Sequence, residues 1–209
     1  MSALVNLTRD RRPDAGGPGR PRDPQVDRAV LDATIDLLVE EGYQKTTIQA
    51  IARRAQVSAP AIYRRWATRE MIIEDAIFGL QDGADVPIPP ATDDLRADLL
   101  AWTRKFLDRT AHPAARSAIP GLLSAYHHHD GVHERLVERA EAPTRAALVE
   151  RVLGARPYAG AQAEATVGIV FDMLMSSTMI RGVAHGYEGA DEWCEHLADA
   201  LYAVIDTLR

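Results

Sequence analysis

The side chains best suited to chemistry lie between residues 47 and 69 and are hydroxyl, amide, phenol and guanidinium groups. Four hydrogen-bond donors stand at the end of this segment: Tyr63, Arg64, Arg65 and Arg69. They follow a run of small or polar residues: Ser58, Ala59, Pro60 and Ala61. Phenol and guanidinium groups donate to phosphate oxygens, and small side chains let a helix approach base edges. The pattern predicts nucleic-acid binding.

Two short helices joined by a tight turn would position these groups. Thr47 can cap the first helix and Ser58 the second. Pro60 would fall in the first turn of the second helix, where a missing N–H group costs no hydrogen bond. Residues 47–66 therefore have the layout of a helix-turn-helix, whose second helix enters the major groove by its N-terminus.

The formal net charge of −6 hides an uneven distribution. Residues 1–70 carry a net charge of +3 and residues 71–209 a net charge of −9, so a phosphate-binding front is expected before an acidic rear. Cys194 is the single cysteine, which excludes an internal disulfide or a cysteine-based zinc finger. Without a signal-peptide or membrane-span pattern, the sequence predicts a cytoplasmic protein.

Apolar residues recur with helical spacing throughout the chain after Pro24, and no strand pattern competes. The sequence predicts an all-α fold with about nine helices. Pro120 is expected to kink or interrupt a helix, and Pro143 falls inside another. The predicted helices behind the helix-turn-helix cover residues 93–111, 114–129, 132–154, 162–185 and 191–208.

Residues 26–80 resemble the DNA-binding domain of TetR-family transcriptional repressors. The matching residues are Leu31, Gly42, Tyr43, Thr46, Thr47, Ile51, Ala52, Val57, Ser58, Ile62, Tyr63, Trp66, Thr68, Arg69 and Glu70. The glycines, prolines and arginines of residues 1–23 predict a flexible basic arm. The resemblance implies an N-terminal three-helix helix-turn-helix domain at residues 24–84. It also implies a larger helical ligand-binding and dimerisation domain at residues 85–209.

The same resemblance implies a role for individual residues of the helix-turn-helix. Gln49 and the segment from Ala59 to Ala61 would face base edges, where Pro60 and the alanines offer apolar contact to thymine methyl groups. Tyr63, Arg65 and the helix N-terminus at Thr47 would contact phosphates.

Two positions depart from the family's usual residues. Arg69 stands where the family usually has lysine, and it should still hold phosphate. Gln56 stands where the family usually has glycine in the turn. A positive φ there would cost about 1 kcal/mol, unless the turn adopts a different geometry. Arg53 and Arg54 are better explained as a solvated helix face than as DNA contacts.

The arm contains Arg20 and Arg22 beside prolines and glycine. Arginines on such an arm can enter a narrow minor groove. The other interpretation, equally supported, is a disordered tail that these residues keep soluble.

The resemblance implies that the last two helices form a homodimer, as a palindromic operator requires. Eight residues behind the helix-turn-helix either line an effector cavity or form ordinary core. These are Trp102, Phe106, Leu123, Tyr126, His127, Phe171, Met175 and Met179.

The expected function is a ligand-responsive transcriptional regulator, most simply a repressor that a small apolar or amphipathic effector releases from double-stranded DNA. No cofactor and no metal is assigned. His129 and His133 have the helical spacing of metal ligands, so a metal-responsive or partner-responsive regulator stays open as an alternative. A small helical metalloenzyme using the cluster from His127 to His133 is disfavoured, because the sequence lacks a nucleophile–base motif.

Overall fold

A computed structural model describes residues 24–79, 88–126, 132–155 and 161–207, and these ranges contain helices and no strands. The ten α-helices are α1 Pro24–Glu40, α2 Ile48–Arg54, α3 Ala59–Tyr63, α4 Arg69–Phe78, α5 Leu95–Ala111, α6 Pro113–Tyr126, α7 Val132–Leu136, α8 Ala142–Ala155, α9 Ala161–His185 and α10 Ala190–Asp206. The predicted all-α class is confirmed. The arm with Arg20 and Arg22 lies outside the described residues, as do His127, His128, His129 and Asp130.

Helices α1 to α4 enclose a small core of their own, which holds Leu37, Ile51, Ile62, Trp66 and Ile72. Side-chain caps fix where two of these helices begin. The Thr47 hydroxyl accepts a hydrogen bond from the Ala50 N–H at 3.2 Å, and the Thr68 hydroxyl accepts one from the Met71 N–H at 3.2 Å. Ser58 occupies the cap position of α3 without a side-chain hydrogen bond. The predicted helix starts are therefore set by local sequence.

The turn between α2 and α3 passes through Gln56 with a φ of 57°. This is left-handed backbone, which an L-residue adopts at a cost of about 1 kcal/mol. The first of the two sequence-based possibilities for this turn is therefore the one found. The strain is local and leaves the packing of Ile62 against the core intact.

Replacing Gln56 by glycine is expected to raise the free energy of unfolding by about 1 kcal/mol, because glycine adopts this φ without a Cβ clash. Urea unfolding would measure it. Gln44→Gly is the matched control, since Gln44 is an exposed glutamine whose φ is not positive. Gln44→Gly should lower the free energy of unfolding. An equal loss in Gln56→Gly would refute the gain expected for that variant.

Behind the front helices, α5 packs against both α9 and α10, and α6 contacts α1 on one side and α9 on the other. This larger core contains Leu99, Phe171, Leu174, Ala198 and Leu201. The segment Glu164–His185 of α9 is long and apolar enough to cross a membrane. About a third of this window is buried in the protein's own core, including Phe171 and Leu174.

The structure refines two sequence-based details. The predicted helix 132–154 is divided into α7, a π-helical turn at Val137–Glu141, and α8. Pro143 explains the division, because its ring clashes with the carbonyl one turn earlier and the wider π turn relieves that clash. Pro120 does not interrupt α6, which continues through it to Tyr126.

Candidate DNA-binding surface and effector cavity

The recognition helix α3 has one buried and one exposed side. Ile62 is fully buried in the front core, whereas Tyr63 is 52% exposed. Ser58, Pro60 and Arg64 are exposed as well, and Ala59 and Ala61 are half-buried. Thr47 and Gln49 lie exposed at the start of α2, which packs against α3. The short helix therefore presents small and polar groups to solvent, as docking into a groove requires.

Two of the predicted phosphate donors are engaged within the protein. The Arg65 guanidinium forms an ion pair with Asp27 of α1, and its side chain is only 14% exposed. Arg69 lies over the Tyr43 ring, 4.3 Å from its centroid, and its Nε donates to Glu70 at 3.0 Å. Sequence reasoning treated both as free donors. Their internal partners instead hold α1, α3 and the start of α4 together.

The remaining arginines of the helix-turn-helix differ in whether they form an ion pair within the protein. Arg54 pairs with Glu40 at 2.6 Å, which suits the interpretation of a solvated helix face. Arg53 and Arg64 are exposed and form no ion pair with any residue in the described ranges. Arg64, next to the exposed Tyr63, is thus available to an external anion.

A cavity of about 370 Å³ lies between α5, α6, α9 and the segment from α7 to α8. Six of the eight predicted pocket residues line it: Phe106, Leu123, Tyr126, Phe171, Met175 and Met179. His127 lies outside the described residues. Such a volume and apolar lining are typical of small-molecule sites.

Trp102 does not line this cavity and takes the other expected role, that of a core residue. It is 2% exposed and stacks on Phe106 with ring centroids 6.0 Å apart, inside the larger core. It lies one helical turn before Phe106 in α5, where α9 and α10 cover the helix. Helical periodicity places both aromatic side chains on the same face of α5, but it does not predict which of them reaches the cavity.

Sequence reasoning also missed polar residues of the cavity. Arg109 lines it from α5, and Glu141 lines it from the π turn. His133, the one residue of the histidine cluster that the structure describes, lines it too, with its ring 5.0 Å from that of Tyr126. The available signal for Arg109 was its position three residues after Phe106, on the same helix face. Within the described ranges, no group of three potential metal ligands occurs.

A buried polar cluster joins the front helices to this cavity. Arg135 of α7 donates to Glu74 at 3.1 Å and to Asp75 at 2.5 Å. The indole of Trp66 donates to the other oxygen of Asp75 at 2.7 Å. Tyr126, which lines the cavity, lies beside Glu74. The cluster therefore connects Tyr126 in the cavity wall with Trp66, the last residue of the helix-turn-helix at 47–66.

Burial controls the charge of Glu74. Its side chain is fully buried, and this desolvation raises the pKa of Glu74 to about 7, although Tyr126 and Arg135 lower it. Burial also raises the pKa of Asp75. In the unfolded chain Glu74 titrates near pH 4.5. The protonated form is thus favoured by folding.

Because the pKa of Glu74 is raised on folding, its contribution to stability is present below pH 4.5 and is lost as the pH rises towards 7. Glu74→Gln should remove this part of the pH dependence, since glutamine cannot ionise. Urea unfolding at pH values between 4.5 and 8 would measure it. Glu150→Gln, at an exposed glutamate of α8, is the control and should keep the wild-type pH profile. A Glu74→Gln profile identical to that of the wild type would contradict the assignment.

The fold and the exposed recognition helix define a helix-turn-helix DNA-binding protein with a separate helical domain. Residues 30–76 match the family described as "Bacterial regulatory proteins, tetR family", and residues 89–201 match "Tetracyclin repressor-like, C-terminal domain". The chain belongs to the TetR family of transcriptional regulators, which are DNA-binding proteins and not enzymes. Members of the family usually act as dimers with small-molecule effectors.

Individual relatives agree with this assignment. An uncharacterised HTH-type transcriptional regulator of Bacillus subtilis is 40% identical over 71 residues, which is 34% of this chain and 35% of that protein. The DNA-binding transcriptional repressor TetR of Mycobacteroides abscessus is 28% identical over 131 residues, 59% of this chain and 66% of the relative. The match thus spans about a third of the first relative and two thirds of the second.

Solved structures share the fold. A TetR transcriptional regulator from Agrobacterium tumefaciens superposes with a TM-score of 0.63 at 20% identity, covering 87% of this chain and 94% of that one. A transcriptional regulator from a Rhodococcus species gives a TM-score of 0.60 at 17% identity, covering 86% and 95% of the two chains. At these identities the likeness concerns the fold alone.

Proposed function

We propose that this protein is a cytoplasmic, ligand-responsive repressor that binds a palindromic operator as a homodimer and leaves it when a small apolar or amphipathic effector fills the cavity. One observation carries the proposal: Tyr126 lines the cavity and lies beside Glu74 of α4, the helix that follows the recognition helix. A ligand that fills the cavity can therefore displace α4, and with it the recognition helix α3 that precedes α4 in the chain.

On the DNA side, we propose that Gln49 and the segment from Ala59 to Ala61 read base edges, and that Ser58 and the α2 N-terminus at Thr47 approach the backbone. Tyr63 and Arg64 are the proposed phosphate donors, because both are exposed. Arg65 and Arg69 would act through their internal partners, by fixing the pose of α3 and the start of α4. Arg20 and Arg22 of the arm are proposed minor-groove contacts.

A second copy of the chain is the proposed partner of α9 and α10. Ile169 is 56% exposed and Ile180 is 64% exposed, and Met173 falls on the same face of α9. Half-buried Leu197 and Val204 of α10 repeat with similar helical spacing. Two such stripes from each copy would form an apolar four-helix interface.

The proposed mechanism is a shift between two conformations. An effector that packs against Tyr126 moves the α6–α7 wall and, through Arg135, displaces Glu74 and Asp75 of α4. The two recognition helices then no longer match the half-site spacing. The operator affinity falls by the effector's preference for the second conformation.

The experiment is a gel shift of the full chain on its selected operator, titrated in parallel with a library of organic compounds and with divalent metal ions. The proposal expects at least one organic compound to release the DNA, and Met175→Trp, which fills the cavity, to abolish that release while DNA binding persists. Release by metal ions alone would contradict it. Static light scattering should give a dimer, and a monomer at micromolar concentration would also contradict it.

A further inference from the structure

We propose that the effector carries a carboxylate on an apolar body and that Arg109 binds the carboxylate. The proposal rests on the ligand-responsive function above and names the chemical class of the ligand. Arg109 lies in α5 and lines the 370 Å³ cavity. It also lines a neighbouring crevice of about 230 Å³ between α1, α4, α5 and α6. The guanidinium thus stands where the two spaces approach each other.

Among the described arginines behind α4, Arg109 differs in having neither a carboxylate nor a carbonyl partner. Arg116 and Arg181 have no carboxylate partner either, but they donate to the backbone carbonyls of Val183 and Glu188. Among the residues that the structure describes, carboxylates pair with Arg96, Arg104, Arg135, Arg139, Arg145 and Arg151. Arg109 forms no hydrogen bond and no ion pair within those ranges, although it is half-buried. A half-buried guanidinium without a protein partner has its N–H donors free for an anionic ligand, and hydrogen bonds between two charged groups are among the stronger ones.

The titration behaviour of Arg109 agrees with this geometry. Burial lowers the pKa of the Arg109 guanidinium, and no carboxylate offsets that effect. Lys105, four residues before Arg109, lines the same crevice and adds positive charge, and His112 lines it as well. The crevice also contains Asp108, whose carboxylate accepts a hydrogen bond from the Tyr187 hydroxyl at 3.0 Å.

The carboxylates that line the cavity do not offer a comparable site for a cation. Its two carboxylates, Glu141 and Asp172, both accept hydrogen bonds from Arg145. Arg145 also lies over the Phe171 ring, 4.5 Å from the centroid. A cationic ligand would have to displace Arg145 from these carboxylates. A carboxylate ligand, in contrast, would meet the unpaired Arg109. Much of the remaining lining is apolar, including Ile119, Leu122 and Met179, and suits a hydrocarbon or aromatic body.

The test compares ligands that differ only in the head group. Isothermal titration of the full chain would use two series: decanoate, decanol and decylammonium, and 4-phenylbutanoate, 4-phenylbutanol and 4-phenylbutylammonium. At least one carboxylate should bind more tightly than its alcohol and its ammonium counterpart. The expected difference is on the order of ten- to a hundredfold, as for a hydrogen bond to a charged group.

Variants locate the effect. Arg109→Gln should remove the carboxylate's advantage and leave alcohol binding unchanged, and Arg109→Lys should keep part of the advantage. Arg104→Gln is the matched control, because Arg104 lies on the same helix, is exposed, and lines neither space. It should bind the carboxylate as the wild type does. The wild-type comparison is decisive even if Arg109→Gln does not fold.

The outcomes separate this inference from the proposed function. If neither carboxylate binds more tightly than its alcohol, or if Arg109→Gln keeps the full advantage, the carboxylate inference is overturned, whether or not other organic compounds release DNA. If a carboxylate binds through Arg109 but no organic compound releases the operator, the inference stands and the ligand-responsive function fails.

Discussion

Replacing Arg135 by methionine is expected to lower the free energy of unfolding by about 3 kcal/mol at neutral pH. The change leaves two buried carboxylates, Glu74 and Asp75, without their shared guanidinium. Breaking a buried ion pair on one side costs about 3–5 kcal/mol. The lower end applies because Asp75 keeps its hydrogen bond from Trp66, and because Glu74 can take up a proton. Urea unfolding measures the loss.

Two comparisons make this prediction specific to the cluster. Arg104→Met breaks an exposed pair with Glu195 and should cost less than about 1 kcal/mol. Adding Glu74→Gln to Arg135→Met should recover stability at pH 8, because it removes one unpaired charge. A loss in Arg135→Met no larger than that in Arg104→Met would show that the cluster does not join α7 to α4 in solution.

Replacing Pro60 by glutamate should reduce the affinity for operator DNA by at least about 100-fold. The new carboxylate would stand on the exposed N-terminal turn of α3, the part proposed to enter the major groove between phosphates. Like charges brought together at an interface cost several kcal/mol. The helix itself should persist, because glutamate is favourable in a first turn. Fluorescence anisotropy with labelled operator measures the affinity, and thermal unfolding checks the fold.

Pro120→Glu is the matched control, since it makes the same substitution at an exposed proline of α6. Its operator affinity should stay within about twofold of the wild-type value, because Pro120 lies outside the helix that is proposed to enter the groove. If Pro60→Glu binds operator as tightly as Pro120→Glu does, α3 does not dock in the groove as proposed.

The front of the molecule was predictable because local rules determine it. The Thr47 cap, the helical spacing of the apolar residues and the family resemblance each depend on a short stretch of sequence. Even the strained turn at Gln56 was identified as one of two possibilities. Short-range capping and periodicity act on neighbours along the chain, so the sequence carries that information directly.

The cavity and its connection to α4 were only partly predictable, because distant pairings create them. Arg135 meets Glu74 across some 60 residues, and no spacing rule predicts such a contact. The same holds for the pairing of Arg65 with Asp27, an internal contact at a residue that is expected to donate to phosphate. Helical periodicity placed Phe106 and Trp102 on one face but could not say which turn borders the cavity.

Selection of bound sequences from a random DNA pool by the purified full chain tests the central claim most directly. The account predicts enrichment of a sequence with two-fold symmetry, whose half-sites lie about 10 base pairs apart or a multiple of that distance. It also predicts that Gln49→Ala changes the preferred bases within each half-site, whereas the symmetry remains. Enrichment of a single asymmetric site, or of no sequence at all, would contradict a dimer that reads DNA through α3.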